Sequence, residues 1–255
     1  EHGNVALAPA LLLGLKVGIY GLLRFVFPLV PEAVTQWSAY VVAFATAGIF
    51  YAALLALLQI NLRRLLAFAV VSHTSILVIG LFSLGTAAFQ GSVMLSVDFG
   101  LAIAGLLFMT GFIYRRTRTT LLPKLGGLFD RIPLIGIAFF VAGLSIVGMP
   151  GTPGFDAAHL MLEAAIDRFG ALVTIAAALG NVAAAAFLLW AFQRAFLAPR
   201  GEHGPQNIAP ASVTERLIAG AVILVLLGAG FFSEPWLELV DAPLEALSGR
   251  FGLAH

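Results

Sequence analysis

The chain has 255 residues, of which 60% are apolar or aromatic; it carries 14 Lys or Arg and 13 Asp or Glu, where an average soluble protein of this length would hold roughly 64 charged residues. Its mean hydropathy is +1.01, and so few charges cannot cover the surface of a water-soluble domain. The absence of cysteine excludes thiolate-ligated iron–sulfur clusters, thiolate zinc sites and disulfides, and a net charge of +1 gives no basis for binding nucleic acid. A bilayer-spanning helix with its turn takes roughly 30 residues, so the length leaves room for about eight spans. The expected fold is all-α, a polytopic transmembrane helix bundle.

Turn residues and charges mark off the apolar runs. A first helix is predicted from Leu7 to Phe27, closed by Pro28 and Pro31. A second runs from Trp37 to Leu58, and a third from Leu62 to Phe82 after Gln59-Ile60-Asn61. The fourth, Ala87 to Tyr114, is longer than one crossing needs and holds Asp98 and Gly100, which predicts a tilt or a break. A basic, turn-rich loop spans Arg115 to Arg131, and a fifth helix covers Pro133 to Val147. The sequence Gly148-Met149-Pro150-Gly151-Thr152-Pro153-Gly154 then excludes regular helix. The short segment Phe155 to Ile166 reads as part of an interrupted helix, followed by spans over Gly170 to Leu197 and Val213 to Phe232. At the C-terminus Glu234, Glu238, Asp241 and Glu245 share one face of a helix, and Leu237, Val240, Leu244 and Leu247 share the other. That pattern predicts an interfacial amphipathic helix bent at Pro243. No run alternates with the two-residue period of a strand.

If the short interrupted segment completes a crossing of its own, Arg63, Arg64, Arg115, Arg116, Arg118, Lys124, Arg131 and Arg168 fall on one side of the membrane, and Arg24, Arg194, Arg200 and Arg216 on the other. The excess places the 115–131 loop in the cytoplasm.

Inside the spans the ionisable residues are the exceptions: Lys16 in the first helix, His73 in the third and Asp98 in the fourth. Each lies about ten residues, or roughly 15 Å, from a helix end. A charge left in hydrocarbon costs at least ~2.5–3.5 kcal/mol on insertion scales, so these side chains must face one another, a partner chain or water. Their similar depth allows one layer at the membrane midplane. As a proton relay, the three would exchange protons with water and with each other. As structural groups, Lys16 and Asp98 would be ion-pair members and His73 a neutral imidazole bonded between helices. Asp156, His159 and Glu163 flank the proline-rich break, where they either line a water cavity or sit at a membrane boundary. Too few histidines cluster to suggest a metal or haem site.

These residues carry a resemblance. The stretch Leu11–Phe25 (LLLGLKVGIYGLLRF) resembles the lysine-bearing helix of the antiporter-like subunits of respiratory complex I, the M-type branch in particular. Ile49–Ser75 is similar to the family's next two helices, with a basic pair opening one helix and a Ser-His following. Gly91–Thr119, the Leu125-Gly126-Gly127-Leu128 loop and MPGTPGF within Phe140–Phe155 match three further motifs in the family's order.

The resemblance implies a half-channel repeat over residues 1–197 and a trailing span with an amphipathic helix over 198–255. It also implies proton or sodium movement through buried Lys, His and acidic groups, with Lys16 on the central lysine and His73 on the Ser-His histidine. Two positions depart from the pattern. A second family histidine falls on Phe99, beside Asp98, and the acidic or lysine residue after the proline break falls on Ala158, with Asp156 and His159 nearby. The expected relay is therefore Lys16, His73, Asp98, Asp156 and His159, with no cofactor and no metal in the chain. The implied partners are the other membrane-arm subunits of an NADH:quinone oxidoreductase-type complex and the lipid bilayer, in a bacterial inner membrane. A cation/proton antiporter, a membrane-bound hydrogenase, an inorganic-carbon uptake complex, or a scaffold subunit with a decayed channel are the alternatives. The opening Glu1-His2-Gly3 is expected to belong to a fragment rather than a half-length protein.

Overall fold

The computed structural model describes residues 7–199 and 208–251; the opening residues 1–6 and Arg200 lie outside them. Among the described residues the regular structure is helical, apart from one isolated bridge between Asn61 and Leu121. Helix α1 (Leu7–Gly21) widens into a π-helical stretch over Leu22–Val26 and ends in the short α2 (Phe27–Leu29). Then follow α3 (Pro31–Leu57), α4 (Leu62–Phe82), α5 (Thr86–Thr117), α6 (Pro133–Val147), α7 (Pro153–Phe169), α8 (Ala171–Phe192, extended by a π-helical stretch to Leu197), α9 (Val213–Phe231) and α10 (Glu234–Ser248). Five of these, α3, α4, α5, α8 with its extension and α9, are long and apolar enough to cross a membrane.

Local signals set most boundaries. Asn61 caps α4 by accepting the Arg63 amide at 3.0 Å. Pro133 and Pro153 occupy the first turns of their helices, where no amide is needed. Helix α6 ends in a Schellman motif: Gly148 adopts φ +76°, its amide bonds Ser145 O at 3.0 Å, and the Met149 amide bonds Leu144 O at 3.1 Å.

Four expectations require correction. Helix α5 has no break: its 32 residues run as one α-helix past Asp98 and Gly100, because the carboxylate finds its partner on a neighbouring helix and disturbs none of its own backbone bonds. The second helix starts at Pro31 rather than Trp37, since proline at the first position initiates a helix readily. The apolar face of α10 packs inward, with Leu237, Val240, Leu244 and Leu247 joining the cluster that holds Phe27 and Phe89. The helix continues through Pro243.

The fourth concerns direction. Helices α6 and α7 together make one interrupted traverse of the bundle rather than two. Helix α6 leaves the basic loop end and reaches the level of Asp98 through Ser145. Helix α7 carries on the same way, with Ala157, Leu160 and Met161 against Gly91 of α5. Helix α8 then returns to the loop, where Ala198 O accepts the Gly127 amide at 2.8 Å and Phe196 O the Phe129 amide at 3.2 Å. Arg194 and Arg216 therefore share the end that holds Arg115–Arg131, while Arg168 lies at the opposite end with Arg24.

At the loop end, Arg116 of α5 reaches Glu215 at the start of α9. Its Nη1 donates to Glu215 Oε1 at 3.0 Å and its Nη2 to Oε2. The guanidinium also donates to the carbonyls of Phe112, Ala209 and Pro210 at 2.9, 2.9 and 3.0 Å. Glu215 completes a capping box with Ser212. The apolar core forms two clusters, one toward the loop end around Phe99, Phe139, Phe187 and Phe196, the other toward the opposite end around Phe27, Phe89, Leu77 and Met161. In lipid, helices associate through close packing rather than hydrophobic drive, and glycines permit it: a Cβ at Gly180 would press on Ile49 and Ile76, and one at Gly105 would lie 2.8 Å from Val222.

Candidate functional site

Between the two apolar clusters lies a polar seam at the end of α6. His73 comes from α4 and is 2% exposed; Asp98 comes from α5 and is 1% exposed. They meet consecutive residues of α6. His73 Nε2 lies 2.7 Å from Ile146 O, and Ser145 Oγ donates to Asp98 Oδ1 at 2.5 Å. A carbonyl only accepts, so Nε2 carries a proton, and Nδ1 is the ring nitrogen left to take up or give up another. That Nδ1 is buried without a partner, and so is Asp98 Oδ2. Each group is thus held by one atom and free at the other.

The broken helix supplies complementary ends to the two. The last carbonyls of α6 carry partial negative charge, and one of them, Ile146 O, faces the imidazole. The first turn of α7 carries partial positive charge, and a Cβ at Gly154 in that turn would lie 2.8 Å from Asp98 Oδ2. An interruption of this kind leaves backbone groups that only protein or water can satisfy. Phe99, beside Asp98 in the sequence, stacks on His73 with ring centroids 5.1 Å apart and planes 13° from parallel.

The other candidate residues are placed apart from this pair. Lys16 is half-buried and lines a groove of about 680 Å³ between α1, α5 and α10, beside Val93, Ser96 and Val97 of α5. It thus lies near the level of Asp98 but against a different face of α5, and among the described residues it forms no ion pair. Arg24 and Arg250 line the same groove. Asp156 is half-buried in the first turn of α7, while His159 and Glu163 are exposed further along it. Ala158 adds no polar group.

Ser145 and Gly154 were not singled out by the sequence. The available signal was slight: Ser145 is the one hydroxyl in the otherwise apolar α6, three residues before the glycine that ends it.

Residues 5–190 match the family model described as NADH:quinone oxidoreductase/Mrp antiporter, TM. The chain is 34% identical over 253 residues to NADH-quinone oxidoreductase subunit M of Pseudomonas aeruginosa, covering 99% of the chain and 48% of that protein. It is 32% identical over 254 residues to NADH-ubiquinone oxidoreductase chain 4 of Marchantia polymorpha, covering 98% and 50%. The chain thus spans about half the length of the curated relatives it matches. Its fold superposes on a chain of respiratory complex I from Thermus thermophilus with a TM-score of 0.87 at 28% identity, over 92% of this chain and 50% of that one. It shares the fold of a chain of the Mrp complex from Dietzia sp. DQ12-45-1b, with a TM-score of 0.82 at 20% identity over 91% and 51%.

Proposed function

The chain belongs to the NADH:quinone oxidoreductase/Mrp antiporter family of transmembrane subunits, and from that premise we propose that it is a proton-conducting half-channel in the membrane arm of an NADH:quinone oxidoreductase-type complex. Lys16, His73 and Asp98 carry protons at the level of the membrane midplane, and Asp156 and His159 extend the path along α7. The observation that supports this reading is the seam at the α6–α7 break. Two titratable side chains from different helices are fully buried there, each anchored through one atom and open at the other. Most buried polar groups have their polar atoms satisfied; His73 Nδ1 and Asp98 Oδ2 do not, and neither do Arg63 Nη2 and Ser92 Oγ. A free ring nitrogen and a free carboxylate oxygen are groups that can exchange a proton.

The path proceeds from Lys16, in its groove between α1, α5 and α10, past α5 to Asp98 and His73 at the break. His73 accepts a proton at Nδ1 while Nε2–H stays on Ile146 O. Asp98 takes and gives its proton at Oδ2. The neighbouring subunits of the complex supply the driving reaction. Nine of the Lys and Arg residues (Arg63, Arg64, Arg115, Arg116, Arg118, Lys124, Arg131, Arg194 and Arg216) share one end of the bundle, against Arg24, Arg168 and Arg250 at the other. By the positive-inside rule the loop end faces the cytoplasm of a bacterial inner membrane.

A second reading, a scaffold subunit with a decayed channel, draws on Phe99, whose apolar ring covers one face of His73. One experiment separates the two. In membrane vesicles containing the intact complex, Lys16→Met, His73→Ala and Asp98→Asn are each expected to lower NADH-driven proton uptake by roughly a hundredfold, the scale of one lost general acid or base, with the subunit still assembled. Unchanged proton uptake in all three establishes the scaffold instead.

A further inference from the structure

We propose that Ser145 is a positioning residue for Asp98, and that by holding Oδ1 it makes Oδ2 the single oxygen through which Asp98 exchanges protons. The inference rests on Asp98 being a member of the relay.

Most hydroxyls in these helices turn back on their own backbone. Thr46, Thr74 and Thr110 each donate to the carbonyl four residues earlier, the usual way a helix absorbs a hydroxyl. Ser145 does not. It is fully buried, and among the described residues it is the one hydroxyl that donates to a carboxylate, across 47 positions of sequence. That bond fixes the plane of the carboxyl group and occupies Oδ1. The other oxygen, Oδ2, is buried without a partner against the first turn of the 17-residue α7, where a Cβ at Gly154 would run first into the backbone carbonyl of Ser145 and then into Oδ2. Ser145 on one oxygen and no partner on the other leave the carboxyl group one site for a proton.

The step is simple in its balance. A hydronium ion gives its proton to Oδ2, an O–H bond forms there, and neutral water is left. In release the same O–H bond breaks and water takes the proton. Throughout, Oδ1 keeps the Ser145 hydrogen bond as the carbonyl-like oxygen of the neutral acid and as half of the carboxylate.

The test uses the intact complex in native membrane vesicles, with two readouts: NADH-driven proton uptake, and the infrared carboxyl band assigned to Asp98 by its absence in Asp98→Asn. Ser145→Ala is expected to slow proton uptake roughly tenfold, the scale of one hydrogen bond to a charged group, and to move the Asp98 band. Ser145→Thr, which keeps the hydroxyl, restores both. Should Ser145→Ala prevent assembly, Ser145→Cys keeps the volume with a weaker donor and is read the same way.

If Ser145→Ala pumps normally with an unmoved band while Asp98→Asn is inactive, the positioning role is overturned and the relay stands. A slowed Ser145→Ala with an unmoved band, unrescued by threonine, overturns it too and leaves a packing role. If Asp98→Asn itself pumps normally, the relay fails and this inference with it.

Discussion

Two regions of the bundle bury charge, and they do so in opposite ways. At the loop end, the five N–H groups of Arg116 are all engaged, two by Glu215 and three by backbone carbonyls. Glu215 in turn accepts from the Ser212 amide at 2.8 Å. At the α6–α7 break, Asp98 and His73 each have one hydrogen bond and one unpartnered atom. Arg115 adds a second, exposed ion pair to Glu215 at 3.5 Å, and a cluster saturated in this way holds α5 against the start of α9. A half-satisfied pair of titratable groups holds little together and is available to exchange protons. The contrast separates structural charge from working charge inside one small bundle.

The comparison breaks most visibly if the clasp is cut. Glu215→Ala leaves the Arg116 guanidinium buried without its anion, which costs about 3–5 kcal/mol. The expected outcome is loss of the subunit from the detergent-solubilised complex on mild heating, followed by native gel electrophoresis. Retention at the wild-type temperature would show that the clasp is not structural. Asp98→Asn is the counterpart. An amide accepts the Ser145 hydrogen bond as the carboxylate does and exchanges one unpartnered polar atom for another, so the expected loss is about 1 kcal/mol. The same heating series should barely move, although proton uptake falls by roughly a hundredfold. A large drop in assembly temperature would make Asp98 a structural group like Glu215.

How much of this was legible depended on whether the signal was local. The bounds of α4 and α6 follow directly from Asn61, Pro133 and Gly148, because caps, prolines and left-handed glycines act within one turn. His73 and Asp98 stand out by type alone, since ionisable groups inside an apolar span are costly. Their convergence on Ser145 and Ile146 is tertiary and has no sequence period. The direction of α7 was misjudged for the same reason. Proline and glycine announce that the chain stops being helical after Val147, but whether it reverses or continues is decided by the packing of α7 on Gly91 of α5. Ser145 escaped notice because a hydroxyl in an apolar helix usually serves its own backbone. The Arg116–Glu215 clasp escaped because its partners lie 99 residues apart.

The smallest expected effect lies where charge is neither buried nor free in the core. On the outer face of α10, exposed Asp241 accepts from Gln90 Nε2 at 2.7 Å, tying α10 to α5. The adjoining apolar face, Leu244 and Leu247, is buried against the same helices, so packing rather than this bond holds α10 in place. An exposed polar contact contributes well under about 1 kcal/mol once water competes for both partners. Asp241→Ala is therefore expected to leave assembly temperature and proton uptake within error of wild type. Leu247→Ala, which opens a cavity beneath the same helix, should lower the assembly temperature by the equivalent of about 2–3 kcal/mol. If the order of these two were reversed, α10 would be held by its polar edge, and the distinction between saturated and idle charge would have to include the surface as well as the core.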